Sequence, residues 1–240
     1  MTRALEVVGL SAGYNGVAVL RDVDLHVDHG EVVALLGPNG AGKTTTLLTI
    51  SGLLEPLAGS VEVLGEPVDS KSPHLNARRG LGHVPEDRSL FFQLSVEENL
   101  RLGLTGDRTA RATALEQALD LLPALKPLMS RRAGLLSGGE QQMLALARAL
   151  VGQPRLLIVD EMSLGLAPII VERLLPLVRN IADSSGTAVL IVEQHIQMAL
   201  SVADRAYVMS HGEISMTGTA EEMLQSRELL EASYLGEKAS

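Results

Sequence analysis

Eight consecutive residues, Gly37-Pro38-Asn39-Gly40-Ala41-Gly42-Lys43-Thr44, constrain this chain more than any other stretch. Their glycines permit backbone conformations closed to other residues, so that successive N–H groups can turn inward on one point. An apolar run, Val32–Leu36, precedes the segment and a helical pattern, Thr44–Leu54, follows it. A strand that enters such a loop and leaves as a helix presents bare amides and the positive end of a helix dipole to an anion. The spacing is that of the phosphate loop, G-x-x-x-x-G-K-[ST]. In that pattern Lys43 reaches the β- and γ-phosphates of a nucleotide and the Thr44 hydroxyl ligates Mg2+. Gly37, Pro38, Asn39, Gly40, Ala41, Gly42, Lys43, Thr44 and the adjoining Thr45 are therefore expected to bind nucleotide. A glycine-rich turn without a ligand is the plainer alternative, and it leaves the combination of strand, loop, lysine and helix unexplained.

A second element complements the first. Leu156-Leu157-Ile158-Val159 is a continuous apolar run that ends in two carboxylates, Asp160 and Glu161. Asp160, at the end of a buried strand, is placed to hold Mg2+ through a water. Glu161 is then the expected general base, or the residue that orients the water attacking the γ-phosphate. A strand that merely ends in solvated acids is common, but less so beside an intact phosphate loop.

Composition narrows the class. Twenty Lys and Arg stand against 29 Asp and Glu, for a net charge of −9. Nucleic acid is therefore not expected as a partner, because its binding needs a basic footprint. With no Cys, a disulfide scaffold, a thiolate zinc site and a Cys nucleophile are all excluded. Only two Phe, three Tyr and no Trp are present, so the core must be aliphatic. Apolar runs such as Val32–Leu36 and Ala188–Val192 stop at five residues. A membrane-spanning helix needs roughly 20. With no signal-peptide pattern at the start, a soluble intracellular protein is expected.

Along the chain, β-type stretches at Leu5–Leu10, Val17–Leu25 and Gly59–Leu64 surround the phosphate loop, and a helical region runs from about Ser95 to Gly152. Ser95-Val96-Glu97-Glu98 is a capping box, and Pro123 ends a helix carrying Leu115, Ala118, Leu119 and Leu122. Leu156–Val159 and Ala188–Val192 read as buried parallel strands with Ile169–Ala182 as a helical crossover. A hairpin, Arg205–Ser210 and Glu213–Thr217, precedes two short acidic helices.

What decides among phosphate-loop proteins is Leu136-Ser137-Gly138-Gly139-Glu140-Gln141-Gln142. Ser137 and Glu140 form a capping box that any helix can use. Gly138-Gly139 in a first helical turn costs stability, and makes sense where an anion must approach bare amides. Here the chain resembles the ATP-binding-cassette (ABC) ATPases, whose signature is LSGGQ, and the likeness runs over nearly the whole chain in order and spacing.

The resemblance implies an α/β fold: an ABC ATPase domain with a RecA-like core, an antiparallel β-subdomain and a helical subdomain. Residues 1–240 would form one such domain, with core and β-subdomain at 1–86 and 153–240 and the helical part at about 87–152. It implies ATP and Mg2+ as ligands, with Thr44 and Asp160 holding the metal and Lys43, Glu161 and His195 carrying catalysis. Tyr14 falls where the family stacks an aromatic ring on adenine, and His195 looks like its switch histidine. Ser137, Gly138 and Gly139 would bind the γ-phosphate held by a second ATPase subunit, identical or homologous. Two membrane permease subunits and, indirectly, a periplasmic or extracellular binding protein complete the implied assembly. The implied location is the cytoplasmic, inner face of the cell membrane.

Three positions depart from the family pattern. Glu86 stands where Gln is usual, Met162 where Pro is common after the acid pair, and Ser163-Leu164-Gly165-Leu166 lacks the usual Asp. Together with Ser95–Leu100, Val192–His195 and the tail Ala232–Gly236, these segments are most similar to the shorter ATPase subunit of branched-chain amino-acid importers. No long regulatory domain is expected to follow. An importer of urea or short amides and a soluble, non-transport ABC ATPase remain as alternatives. Phe91, Phe92 and Leu94 form an apolar group that is either helical-lobe core or a docking surface for the permease.

Overall fold

The computed structural model describes residues 3–225. Two sheets organise them. In the first, β1 (Arg3–Tyr14) pairs antiparallel with β2 (Val17–Asp28) and with β4 (Ala58–Val63), and β5 (Glu66–Pro67) closes the edge. Tyr14-Asn15-Gly16-Val17 makes the first hairpin. Asn15 and Gly16 both take positive φ, the geometry of a two-residue turn whose twist suits flanking strands.

The second sheet has the order β10-β9-β3-β8-β7-β6. β3 (Val32–Leu36), β6 (Leu81–Val84), β7 (Leu156–Asp160), β8 (Ala188–Glu193) and β9 (Arg205–Ser210) run parallel, and β10 (Glu213–Thr219) returns antiparallel at one edge. Every residue of β3, β7 and β8 is buried, which is why these strands do not alternate and are apolar up to the acids, Asp160 and Glu193, that end β7 and β8. Leu156, Ile158, Leu190 and Val192 face a core shared with the antiparallel sheet and with Leu47 and Ile50 of α1 (Lys43–Ile50). Leu157, Val159, Val189 and Ile191 face the opposite layer, built by α3 (Val96–Gly103), α4 (Arg108–Leu121), α5 (Gly138–Leu150) and α6 (Pro168–Ser185).

Both anticipated capping boxes form. The Ser95 hydroxyl accepts from Glu98 N while Glu98 accepts from Ser95 N, and Ser137 and Glu140 do the same at the start of α5. Four short elements carry no strong periodicity and were not expected: β5, β6, α2 (Pro73–Arg78) and α7 (Ile196–Leu200). The first helix stops at Ile50, four residues short of the expected Leu54. Of the two acidic helices expected at the end, α8 (Ala220–Gln225) is present. The second, and the tail Ala232–Gly236, lie outside the described residues. Among those described, no helix is long and apolar enough to cross a membrane.

Candidate functional site

Parallel strands put their carboxyl ends on one edge, and the strand order decides which loops are neighbours there. β8 lies between β3 and β7, with Leu36 opposite Glu193 and Asp160 opposite Val192, and β6 lies beyond β7. The phosphate loop, the acid pair, the His195 segment and Glu86 therefore all emerge on that edge.

The phosphate loop is held from behind by a distant hairpin. A Cβ on Gly37 would lie 2.5 Å from the Met209 carbonyl oxygen, and one on Gly42 would lie 2.6 Å from Leu20 Cδ2. Gly212, in the turn between β9 and β10, donates its N–H to Ala41 O at 2.9 Å and accepts from Arg21 N at 2.9 Å. Gly40 differs from its neighbours: at φ +80 nothing lies within 4 Å of where a Cβ would be, so it faces open space. Gly42 takes φ 111 as the N-cap of α1, a conformation that favours glycine. Thr45 is buried in that helix, and its carbonyl accepts from Thr49 Oγ1. Thr44 is exposed.

Lys43 is 4% exposed, and its charge is answered locally. Nζ donates to Gly37 O at 2.9 Å and Pro38 O at 3.2 Å, and lies 3.3 Å from Glu161 Oε1. Glu161 has φ 39, left-handed backbone that costs a non-glycine residue about 1 kcal/mol or more. Its N–H donates to Val192 O on β8.

Asp160 is 5% exposed, and its Oδ1 is buried without a hydrogen-bond partner. Burial, reinforced by the Glu161 and Glu86 carboxylates and opposed by Lys43, pushes its pKa up to about 7. A buried carboxylate so short of compensation suits a cation as partner. Asp160, Thr44 and Glu86 line one cavity of about 680 Å³, together with Pro85, Leu164 and Gly165. Mg2+ typically keeps one or two protein ligands and takes the rest from phosphate and water. An orphaned Asp160 oxygen and an exposed Thr44 hydroxyl in one cavity fit that requirement. Glu86 is exposed there and adds to the negative field instead of relieving it.

Tyr14, His195 and Ser137–Gly139 do not line this cavity. Tyr14 is exposed at the end of β1, paired with Val17. His195 is exposed as the N-cap residue of α7, two positions beyond the end of β8. Ser137 is exposed at the tip of α5. Gly139 has a packing reason as well as the expected chemical one, since a Cβ there would meet Ile170 Cγ2 at 2.9 Å. Gly138 has more room, its closest neighbour being Leu166 Cδ2 at 3.3 Å. Met162, in the position of the family's Pro, is buried in the helical-side core. Phe91 and Phe92 are 55% and 50% exposed, whereas Leu94 is half-buried.

A larger cavity of about 760 Å³ opens at the amino ends of β7 and β8, lined by His29, Gln117, Arg155 and Thr187 among others. It contains none of the motif residues. Within it Gln153 pairs with Gln117 and Thr187 with Pro154 O.

Two features had no clear trace in sequence. Arg88, in left-handed backbone at φ 64, donates to Gln142 Oε1 at 2.8 Å, Gln141 Oε1 at 3.1 Å and Leu164 O at 3.5 Å. It thereby links the loop after β6 to the helix behind the Ser137 segment and to the loop after Glu161. Glu193, fully buried, accepts from Ser163 N at 3.0 Å and Ser163 Oγ at 2.6 Å. The only hint of it in sequence is a charge ending an otherwise apolar run.

Fold and site together define a phosphate-loop nucleotide-binding protein with a helical layer inserted before its acidic strand. The model of the ABC transporter family matches residues 20–163. Over 228 residues the chain is 41% identical to BraG of Pseudomonas aeruginosa, a high-affinity branched-chain amino acid transport ATP-binding protein. That match covers 95% of this chain and 97% of BraG. It is 38% identical to LivF of Archaeoglobus fulgidus, a probable branched-chain amino acid transport ATP-binding protein, covering 92% and 94%. It is 36% identical to LptB of Escherichia coli K12, the lipopolysaccharide export system ATP-binding protein, covering 97% of each. Among solved structures, an ATP-binding cassette in its ADP conformation superposes with a TM-score of 0.86 at 25% identity, covering 99% of this chain and all of that one. The chain belongs to the ABC transporter family. It is an ATP-binding subunit of that family, with the ATPase fold and activity that define it.

Proposed function

We propose that this subunit hydrolyses ATP to drive an importer of branched-chain amino acids. The observation that supports the substrate class most directly is the 41% identity to BraG over nearly the full length of both chains. LptB supports a second reading, export of a lipid-linked saccharide, at 36% identity over the same span.

In the proposed chemistry, the Gly37–Thr44 amides and Lys43 hold the phosphates of ATP, with Thr45 extending the loop into α1. Thr44 and Asp160 hold Mg2+, which when bound supplies positive charge against the phosphate oxygens. Glu86 faces the same cavity and sets how negative the site is before ligand arrives. Glu161 takes the proton from the attacking water, and His195 orients that water against the γ-phosphate. Tyr14, exposed on its hairpin, stacks on adenine.

Ser137, Gly138 and Gly139 act on ATP held by a second ATPase subunit, identical or homologous, so the working unit is a dimer. The exposed rings of Phe91 and Phe92 dock permease subunits, and the protein works on the cytoplasmic face of the cell membrane. A binding protein outside delivers the solute. The chain divides into a core with its β-subdomain, residues 1–86 and 153–240, and a helical subdomain at about 87–152. Of the Arg88 bonds, the one to Leu164 O crosses between the two parts beside the cavity.

The test is reconstitution with candidate permeases and binding proteins. Phosphate release stimulated by leucine, isoleucine or valine supports the importer reading. Stimulation only by lipopolysaccharide and its export partners overturns it in favour of the second, and stimulation only by urea or a short amide moves the substrate class.

A further inference from the structure

We propose that Glu193 and Ser163 form a buried clamp that positions Glu161, making both positioning residues for ATP hydrolysis. The proposal rests on the reading of Glu161 as the residue that activates water.

Burying a carboxylate is unfavourable unless its oxygens are hydrogen-bonded. Glu193 is the last residue of β8, opposite Leu36 on the strand that feeds the phosphate loop, and none of its surface is exposed. Burial pushes its pKa up, and the hydrogen bonds from Ser163 push back. Both oxygens are engaged by one residue: Oε1 accepts from Ser163 N at 3.0 Å and Oε2 from Ser163 Oγ at 2.6 Å. A serine presents two donors to the two oxygens of a carboxylate, whereas alanine would present only one.

Ser163 lies two residues beyond Glu161, and the backbone between them is over-determined. Glu161 N donates to Val192 O at 2.9 Å, and Leu164 N donates to Glu161 O at 3.0 Å. Glu161 is thus anchored to β8 on one side through Val192 and on the other through the Glu193 carboxylate. Strained backbone persists only where its surroundings hold it, and the left-handed Glu161 sits between those two anchors. His195 leaves the same strand two residues after Glu193. One short segment of β8 therefore sets the relative placement of Glu161 and His195. None of the clamp bonds touches Lys43 or the glycines of the phosphate loop. The clamp should therefore govern turnover. Displacing Glu161 only relieves the contact that competes with phosphate for Lys43, so it should not weaken nucleotide affinity.

The test compares the full-length wild-type protein with Glu193→Ala, Glu193→Gln, Ser163→Ala and the double variant Glu193→Ala/Ser163→Ala. Phosphate release gives kcat and KM, titration with a fluorescent ATP analogue gives affinity, and unfolding curves give the folded fraction. An ångström-scale misplacement of a catalytic group lowers turnover on the order of a hundredfold. Both alanine variants should fall toward that level with affinity weakened no more than about twofold. The double variant should be no worse than the worse single, because residues acting as one unit are not additive. Glu193→Gln, which keeps an acceptor for Ser163 N, should recover part of the loss. Losses that only track the folded fraction, that multiply in the double variant, or that appear as weakened affinity would each overturn the proposal. Amide exchange at Ser163 in the nucleotide-free protein separates the clamp from the chemistry. Unchanged exchange in Glu193→Ala rejects the clamp, whereas faster exchange with wild-type turnover in Glu161→Gln rejects the base reading and with it the catalytic purpose of the clamp.

Discussion

Lys43 Nζ lies 3.3 Å from Glu161 Oε1, the two side chains being 4% and 13% exposed. The lysine of the phosphate loop and the acid after β7 thus neutralise one another across the edge of the sheet. A buried cation and anion that lose one partner leave the other uncompensated, which is more costly than losing an exposed pair. In the proposed chemistry, an arriving phosphate exchanges partners around Lys43 and frees Glu161.

Lys43→Ala should abolish tight ATP binding, since it removes the charge aimed at the phosphates and strands Glu161. Equilibrium binding of a fluorescent ATP analogue measures the loss, and affinity within a factor of three of wild type would contradict the assignment.

Glu161→Gln should bind ATP and accumulate as a closed dimer on size exclusion, with phosphate release reduced at least a hundredfold, within the range for loss of a general base. Wild-type turnover in this variant would sink the general-base role.

His83 gives a stability prediction that is independent of nucleotide. Its Nδ1 lies 3.0 Å from Ser51 Oγ, and burial pushes its pKa down from 6.5 to about 4, with Asp87 opposing weakly. The unfolded chain then binds more protons than the folded one between those values. The contribution of His83 is fully present above pH 6.5 and is lost as pH falls toward 4, at about 1 kcal/mol per pH unit. Asp160, its pKa raised to about 7, takes up a proton on folding and opposes this trend. The His83 part is therefore read as the difference between wild type and His83→Gln in denaturant unfolding at pH 7 and pH 5, with wild type losing more or gaining less. An equal change in the variant removes His83 as a source of acid sensitivity.

Alanine at two glycines of the phosphate loop should separate packing from backbone strain. Gly40→Ala faces no clash and should lower stability by about 1 kcal/mol through its positive φ alone. Gly37→Ala drives a methyl into the Met209 carbonyl and should lower it by roughly 1–3 kcal/mol, as overpacking does. The order of the two midpoints decides the matter.

Phe91→Ser and Phe92→Ser should leave the unfolding midpoint within the roughly 0.5 kcal/mol range of surface substitutions. Basal ATP hydrolysis should be unchanged, and copurification with permease subunits should be lost. A large loss of stability instead would make these rings core.

What could be read in advance follows from how each feature is encoded. β3, β7 and β8 are legible because burial on both faces demands uninterrupted apolar runs, and the caps at Ser95 and Ser137 because their partners lie three residues away. β6 was not legible: Leu81-Gly82-His83-Val84 holds a glycine and a polar ring, and it is a strand only because β7 supplies its ladder. The phosphate loop and the acid pair were readable as motifs. Arg88 was not, since its three acceptors are separated from it by more than fifty positions. Nor did the sequence say whether Phe91 and Phe92 were core or surface, because an apolar pair in a loop satisfies either description.

The rear wall of the phosphate loop has a consequence in time. Met209 and Gly212 abut Gly37, Gly42 and Ala41, yet they belong to a hairpin synthesised long after the loop itself. A nascent chain that has already emerged through Lys43 carries the complete motif and lacks the surface that shapes it. Such distant pairings form late and slowly. Until Met209 and Gly212 are made, Gly37, Ala41 and Gly42 lack the surface that packs against them, so the final shape of the loop is set from the far end of the chain.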